Sequence, residues 1–231
     1  MAKKSFLFEL CDYSEAILVA AAFALFFKAF VFQIFEIPSS SMEDNLLVGD
    51  RIVVDKFIYA PHPLPWAKLL PYRNPRRGDV LVFKYPNDPT RDFIKRVVGL
   101  PGDVVAIDDK VVSVNGVPQK EPWVVHRDPE ILPKGGVPQS VSRRDHLAPL
   151  RVPEGAWYAM GDNRDESQDS RFFGPVPEAL VKGRAVVVLW SYDPGGATAY
   201  EGRGAAVRRV LDTALHFLSR TRWNRTFKRV R

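Results

Sequence analysis

The sequence predicts a mainly β, antiparallel domain carried behind one N-terminal transmembrane helix and followed by a basic helical segment near the C-terminus. Three features predict it. One apolar run, Ala16–Phe35, holds twenty residues with a single charge, Lys28. Behind it the pattern changes to short β-branched runs separated by Gly-Asp and Asn-Gly turn signals. Near the C-terminus a segment of helical period accounts for the chain's net positive charge.

Taken in order, residues 1–15 are polar at intervals and include Lys3 and Lys4, which suggest a cytoplasmic N-terminus. Residues 16–36 are expected to form the transmembrane helix, since about twenty apolar residues span the hydrocarbon core. A lysine near the end of such a helix snorkels to the headgroups. No Ala-x-Ala site precedes a polar mature start, so the segment reads as retained rather than cleaved. Residues 37–202 are expected to form the β domain. Its strands are read from Arg51-Ile-Val-Val, Asp79-Val-Leu-Val-Phe, Phe93-Ile-Lys-Arg-Val-Val, Asp103-Val-Val-Ala-Ile, Lys110-Val-Val-Ser-Val, Trp157-Tyr-Ala-Met and Arg184-Ala-Val-Val-Val-Leu-Trp. Turns fall at Gly49-Asp50, Gly78-Asp79, Pro101-Gly102-Asp103 and Asn115-Gly116.

Two stretches interrupt the strands. Ala60–Pro75 holds five prolines with Trp66, Leu69 and Leu70, and either rests on a bilayer or packs on its own core. An excursion at about 116–152 is rich in Pro, Gly and charge. In the last segment, 203–231, Val207, Val210, Leu211, Ala214, Leu215 and Leu218 share one helical face. That helix reads equally as a membrane-surface helix or as one docked on the domain, and Arg222-Trp223 reads as a closing strand.

An apolar share of 46% is enough for a real core. The single cysteine, Cys11, excludes an internal disulfide and a Cys-rich zinc site. The four histidines have no ligand-like spacing, so neither metal nor cofactor is expected. Net charge is +6, but 203–231 carries nine Lys/Arg against Asp212, or +8, which leaves −2 for the remainder. The basicity belongs to the tail, and no nucleic-acid-binding domain is expected, although such a tail can touch RNA or anionic lipid.

Three stretches carry candidate chemistry. Ile37-Pro38-Ser39-Ser40-Ser41-Met42 places three hydroxyls at the exit of the apolar segment. A serine needs a base before it attacks, and no histidine stands in a suitable context. Lysine serves if burial lowers its pKa by several units. Lys95 lies among Phe93, Ile94, Val97 and Val98, with Phe93 and Val97 on its own strand face. The alternative for such a lysine is a solvated strand edge. Gly161–Arg171 is a dense polar loop in which Asp162, Arg164, Asp165, Asp169 and Arg171 form an ion-pair network and Ser167 bonds the lysine amine, or else a solvated hairpin.

Pro38-Ser-Ser-Ser-Met with Leu46-Leu-Val-Gly-Asp50 resembles the nucleophile box of bacterial type I signal peptidases. Arg77–Phe83, Lys95-Arg-Val-Val-Gly-Leu-Pro-Gly-Asp103 and Gly161–Arg171 resemble three further boxes, in family order. The resemblance implies a membrane-anchored serine–lysine endopeptidase that removes N-terminal signal peptides from exported preproteins after Ala-x-Ala. It implies Ser41 as nucleophile, Lys95 as general base, and the Ser39 hydroxyl with the Ser41 N–H as oxyanion donors. It implies Ser167 as the residue orienting the lysine, Asp169 and Arg171 as a supporting pair, and Asp162 and Arg164 as structural. Ile37, Met42, Leu46, Phe93 and Ile94 match positions lining pockets for small side chains. The implied partners are preprotein signal peptides, the lipid bilayer and a nearby secretion translocon, and the implied place is the outer face of the bacterial inner membrane. The chain departs from the family at Met42-Glu43-Asp44-Asn45-Leu46, where Pro and Thr are usual, and at Glu166, where Asn is common. A repressor-type Ser–Lys peptidase would need a DNA-binding segment before the box. An organelle inner-membrane peptidase and a membrane-anchored binding protein lacking activity are the remaining alternatives.

Overall fold

The structure, a computed structural model, describes residues 6–26, 28, 31–59, 72–195 and 205–230. The proline-rich stretch lies mostly outside them, so the reading of Trp66, Leu69 and Leu70 does too.

The main sheet has seven strands in the order β1 (Phe32–Glu36), β2 (Asp50–Asp55), β11 (Val181–Ser191), β3 (Val80–Tyr85), β4 (Asp88–Gly99), β9 (Ala156–Met160) and β10 (Val176–Pro177). Every pairing in it is antiparallel. A second, four-stranded antiparallel sheet runs β7 (Val117–Pro118), β6 (Val111–Val114), β5 (Val104–Asp108) and β8 (Leu147–Arg151). The excursion therefore returns a strand, β8, to pair with β5, and the two β-branched runs after Pro101 belong to the smaller sheet. The β6–β7 turn is Asn115-Gly116, both at positive φ, the left-handed pair that a two-residue hairpin needs. Three buried clusters fill the domain. One lies under β2, β3 and β11, a second between the small sheet and Tyr158 and Met160, and a third joins Phe83, Val97, Trp157 and Val176.

The N-terminal segment differs from the reading of one helix over 16–36. Helix α1 starts earlier and stops earlier, at Phe6–Phe26, and so takes in Glu9, Asp12 and Glu15. Residues 32–36 are strand β1, paired with β2 from Phe32↔Asp55 to Glu36↔Arg51. Gln33 interrupts the apolar run there. The aromatic and branched residues Phe32, Ile34 and Phe35 suit a pleated edge, and pairing satisfies the β2 backbone that a helix would leave open. Among the described residues no helix is long and apolar enough to cross a membrane. The apolar part of α1, from Ala16 to Phe26, is roughly 16 Å long at 1.5 Å per residue, against a hydrocarbon core of about 30 Å.

Short helices α2 (Gln139–Ser142) and α3 (Ser170–Phe173) lie in connections, and α4 (Ala205–Leu215) with α5 (Phe217–Arg220) follows the last strand. The expected closing strand at Arg222-Trp223 is instead a run of single bridges along β11. Thr221 pairs Tyr192 and Arg229 pairs Val187, with Phe227 N and Val188 N bonding across the gap. The tail takes the part of β11 that β3, which pairs only with Val181–Arg184, leaves uncovered. Arg225 then reaches the first residue of β2. Its Nη2 lies 2.6 Å from Asp50 Oδ2, with the carboxylate fully buried. Removing one partner of a buried ion pair leaves a charge uncompensated. Arg225→Ala is therefore expected to lower unfolding stability by about 3 kcal/mol, measured by denaturant titration.

Candidate active site

Ser41 sits in a 3-10 turn, Ser40–Met42, entered from Ser39 in extended conformation. The turn is fixed from beneath, where Met42 and Leu46 are buried and Leu46 N donates to Met42 O at 2.8 Å. Its entry is clamped to β2 by Ile37 N to Asp50 O (2.9 Å) and Gly49 N to Ile37 O (3.0 Å). Gly49 has φ +87°, and a Cβ there would run into the Tyr192 carbonyl, so only glycine fits the turn.

Lys95 stands on β4 opposite Leu81 of β3, which aims its side chain at this turn. Lys95 Nζ lies 2.7 Å from Ser41 Oγ and 2.9 Å from the Ile94 carbonyl oxygen. Both residues are nearly sealed from solvent, Lys95 at 4% and Ser41 at 7% exposure. Burial lowers the Lys95 pKa from 10.5 to about 8, opposed by the negative charges of Asp169 and Asp162 and helped by Arg171. The Phe93 ring, 5.3 Å from Nζ, forms part of that apolar wall. Once neutral, the amine accepts the Ser41 hydroxyl proton through the contact already made, so the pair has the geometry of nucleophile and base.

The loop Gly161–Arg171 surrounds the pair. Asn163 N donates to Ser41 O at 3.2 Å, tying loop to nucleophile. Asp162 pairs with Arg96, the residue after the lysine, at 2.6 Å, with both side chains buried. Asp169 caps α3 and accepts from Gly161 N and from Arg171 N, Nε and Nη2. Burial pushes the Asp169 carboxyl up, but the charge and hydrogen bonds of Arg171 more than offset this and hold it below the usual range. Arg171 also donates to the Arg144 and Arg164 carbonyls, and Arg164 pairs with Glu121 at 2.7 Å. Asp165 joins Lys110 at 3.0 Å.

The other expected site residues fall less uniformly. The Ser167 hydroxyl is buried against Gly161 without a hydrogen-bond partner, so the bond from Ser167 to the lysine amine is not made in this structure. Ser39 is exposed beside the nucleophile, and its hydroxyl caps nothing in the turn. Ile37, Met42, Leu46 and Ile94 pack in one core cluster with Ile52, Val54 and Val188. Phe93 packs elsewhere, stacked 4.4 Å from the Tyr85 ring. The reason is geometric. An alternating strand and a turn held by its apolar residues must send those side chains inward.

The departure at residues 43–45 has a counterpart in the excursion. Asp44 pairs with Arg127 at 2.7 Å, and Asn45 Nδ2 donates to Asp162 Oδ2 and to the Trp123 carbonyl, each at 2.9 Å. Glu166 accepts from Ser40 Oγ and from Asn163 Nδ2. Asn45, Glu121, Arg127 and Arg144 escaped the sequence reading because each lies far along the chain from its partner. Only the unusual Glu-Asp-Asn run marked the place.

A family model described as "Signal peptidase, peptidase S26" matches residues 10–190. The signal peptidase I of Pseudomonas aeruginosa is 36% identical over 80% of this chain and 74% of its own length. That of Aquifex aeolicus is 32% identical over 83% and 89% respectively. A solved signal peptidase I from Enterococcus faecalis is 31% identical, covers 48% of this chain and 97% of its own, and superposes with a TM-score of 0.38.

Three outcomes are expected from this geometry. Lys95 must lose a proton to act, so a rate that depends on it should rise with pH through about 8, read from a pH–rate profile. The lowered pKa also makes charged Lys95 a cost to the fold. That cost is full below pH 8, declines as pH rises towards the unfolded value of 10.5, and is absent above it. Lys95→Met should thus be inactive yet more stable at pH 7, by about 2 kcal/mol at 1.36 kcal/mol per unit less the lost hydrogen bonds. The gain should vanish above pH 10.5, checked by unfolding at both ends. Third, a Cβ at Gly161 would collide with Ser167 and with the Ser41 carbonyl, so Gly161→Ala should cut the rate at least tenfold by displacing Ser41 from Lys95. The rate on any cleaved peptide measures it.

Proposed function

The chain belongs to the signal peptidase, peptidase S26 family, an enzyme class that cleaves signal peptides from preproteins, and on that premise we propose that it does so with a Ser41–Lys95 dyad. The observation that carries this is the 2.7 Å contact between a buried serine hydroxyl and a buried lysine amine of lowered pKa. Neutral Lys95 takes the Ser41 proton as Oγ attacks the scissile carbonyl. The oxyanion is met by the Ser41 N–H and the Ser39 hydroxyl, donors worth about 3–4 kcal/mol each in the transition state. The lysine, now charged, gives its proton to the leaving amine. It then activates water against the acyl-enzyme. Ser167, Asp169, Arg171, Asp162 and Arg164 hold the lysine's surroundings rather than touch the substrate.

The substrate enters as an added strand. Strand β9 covers β4 only from Arg96 onward, so the edge of β4 before Lys95 is open beside Ser41. An extended peptide pairing there would present its carbonyl to the nucleophile. The walls are packed core, and only small side chains, as in Ala-x-Ala, fit against them.

The chain works at the bilayer, with the β domain on the outer face of the inner membrane and near the translocon that delivers preproteins. The support is α1, whose described side chains from Tyr13 to Phe26 are all exposed. They include Ile17, Leu18, Val19, Phe23 and Leu25, a broad exposed apolar surface.

A preprotein with an Ala-x-Ala site, incubated in detergent with wild type, Ser41→Ala and Lys95→Ala, is expected to be cut by wild type alone. Cutting by either variant would overturn the dyad.

A further inference from the structure

The C-terminal helices sit on the domain the wrong way out. An amphipathic helix of a water-soluble domain buries its apolar face. In α4–α5 the stripe facing the domain is Asp212, Thr213, His216 and Arg220, all half-buried. Asp212 receives the Tyr192 hydroxyl at 2.9 Å and pairs with Arg220 at 3.0 Å, and Thr213 lies in a small hollow with Trp190 and Tyr192. The opposite stripe, Val207, Val210, Leu211, Leu215 and Leu218, is exposed, Leu215 at 79%. The polar face is tethered and the apolar face is presented.

We propose that this face is a docking surface for an anionic lipid bilayer, with α4–α5 lying in the headgroup plane. The charge of the segment argues for that occupant. Residues 203–231 sum to +8, and Arg208, Lys228 and Arg229 are exposed beside the apolar stripe and its continuation. A second copy of the chain would set +8 against +8, whereas anionic headgroups complement both the charge and the apolar stripe. Trp223 and Phe227, exposed just beyond α5, supply the aromatic edge that favours a membrane–water boundary. The helix lies outside residues 10–190, the part shared with the family. It is tied through Asp212–Tyr192 to the strand end that also holds the nucleophile turn by way of Gly49 N and Tyr192 N. A docked α4–α5 would therefore set the orientation of the β domain on the bilayer independently of α1.

The test uses the full chain with Cys11→Ser and Leu218→Cys, labelled with an environment-sensitive fluorophore and mixed with vesicles. A label at Lys120→Cys, exposed just after the edge strand β7, is the control. On phosphatidylglycerol-containing vesicles the 218 label should shift to the blue and be quenched by lipids carrying a nitroxide in the upper acyl chain, while the 120 label is not. The shift should need roughly tenfold more lipid when the vesicles are phosphatidylcholine alone, and should be lost in the Leu211→Glu/Leu215→Glu variant. A 218 label that stays in water while the chain pellets with anionic vesicles would overturn the proposal. So would equal response to both lipids, or a shift without lipid that grows with protein concentration, the sign of a second copy. Cleavage of a short soluble peptide by the same proteins is expected to be unchanged, and its loss would bear on the dyad instead.

Discussion

The site is arranged around a buried lysine amine 2.7 Å from a serine hydroxyl, an amine that the proposed mechanism needs neutral. Water would keep it charged, so the amine has to be inside, and a buried amine tolerates no loose charge nearby. Asp162 and Asp169 both stand close enough to pull the Lys95 proton back on. Each carboxylate is consequently spoken for, Asp162 by Arg96 and Asn45 and Asp169 by Arg171. The density of the 161–171 loop follows from this requirement. Arg171 of the loop and Arg96 of β4 each hold one of the two carboxylates that face the lysine.

The same requirement ties distant parts of the chain together. The nucleophile turn hangs from β2, the lysine comes from β4, and the loop descends from β9, three strands of one antiparallel sheet. Within that sheet Lys95 and Arg96 point to opposite faces, as successive strand residues must. Lys95 therefore meets Ser41 while Arg96 locks Asp162. The excursion adds Arg127, Glu121 and Trp123 around the outside and ties to residues 43–45, where the nucleophile segment departs from the family pattern.

The β-branched runs and their Gly-Asp and Asn-Gly turns were readable because period and turn chemistry are local. The pairing of Ser41 with Lys95 came from the resemblance of whole boxes, because the apolar run around Lys95 alone fits a solvated strand edge as well. Less readable was anything that depends on what covers a surface. Phe32–Glu36 continues an apolar helix in sequence, and only the open edge of β2 makes it a strand. Met42 and Leu46 look equally like pocket walls and core until the turn's direction is known. The tail's period marks two faces on α4 but not which one meets the domain. The Asp212–Tyr192 bond decides that, and it joins residues twenty apart in sequence. Nothing local foretold the pairing of Asp44 with Arg127, eighty-three residues away.

The bond between Arg225 and Asp50 spans nearly the whole β domain in sequence, and residues 227–230 finish the uncovered half of β11. A ribosome releases Ser41 and Lys95 long before Arg225. The serine and lysine can be out in solution while the strand that holds the nucleophile turn still lacks its last neighbours. The order of synthesis thus separates the two halves of the frame, since β2 and β11 are made well before the tail residues that bond to them.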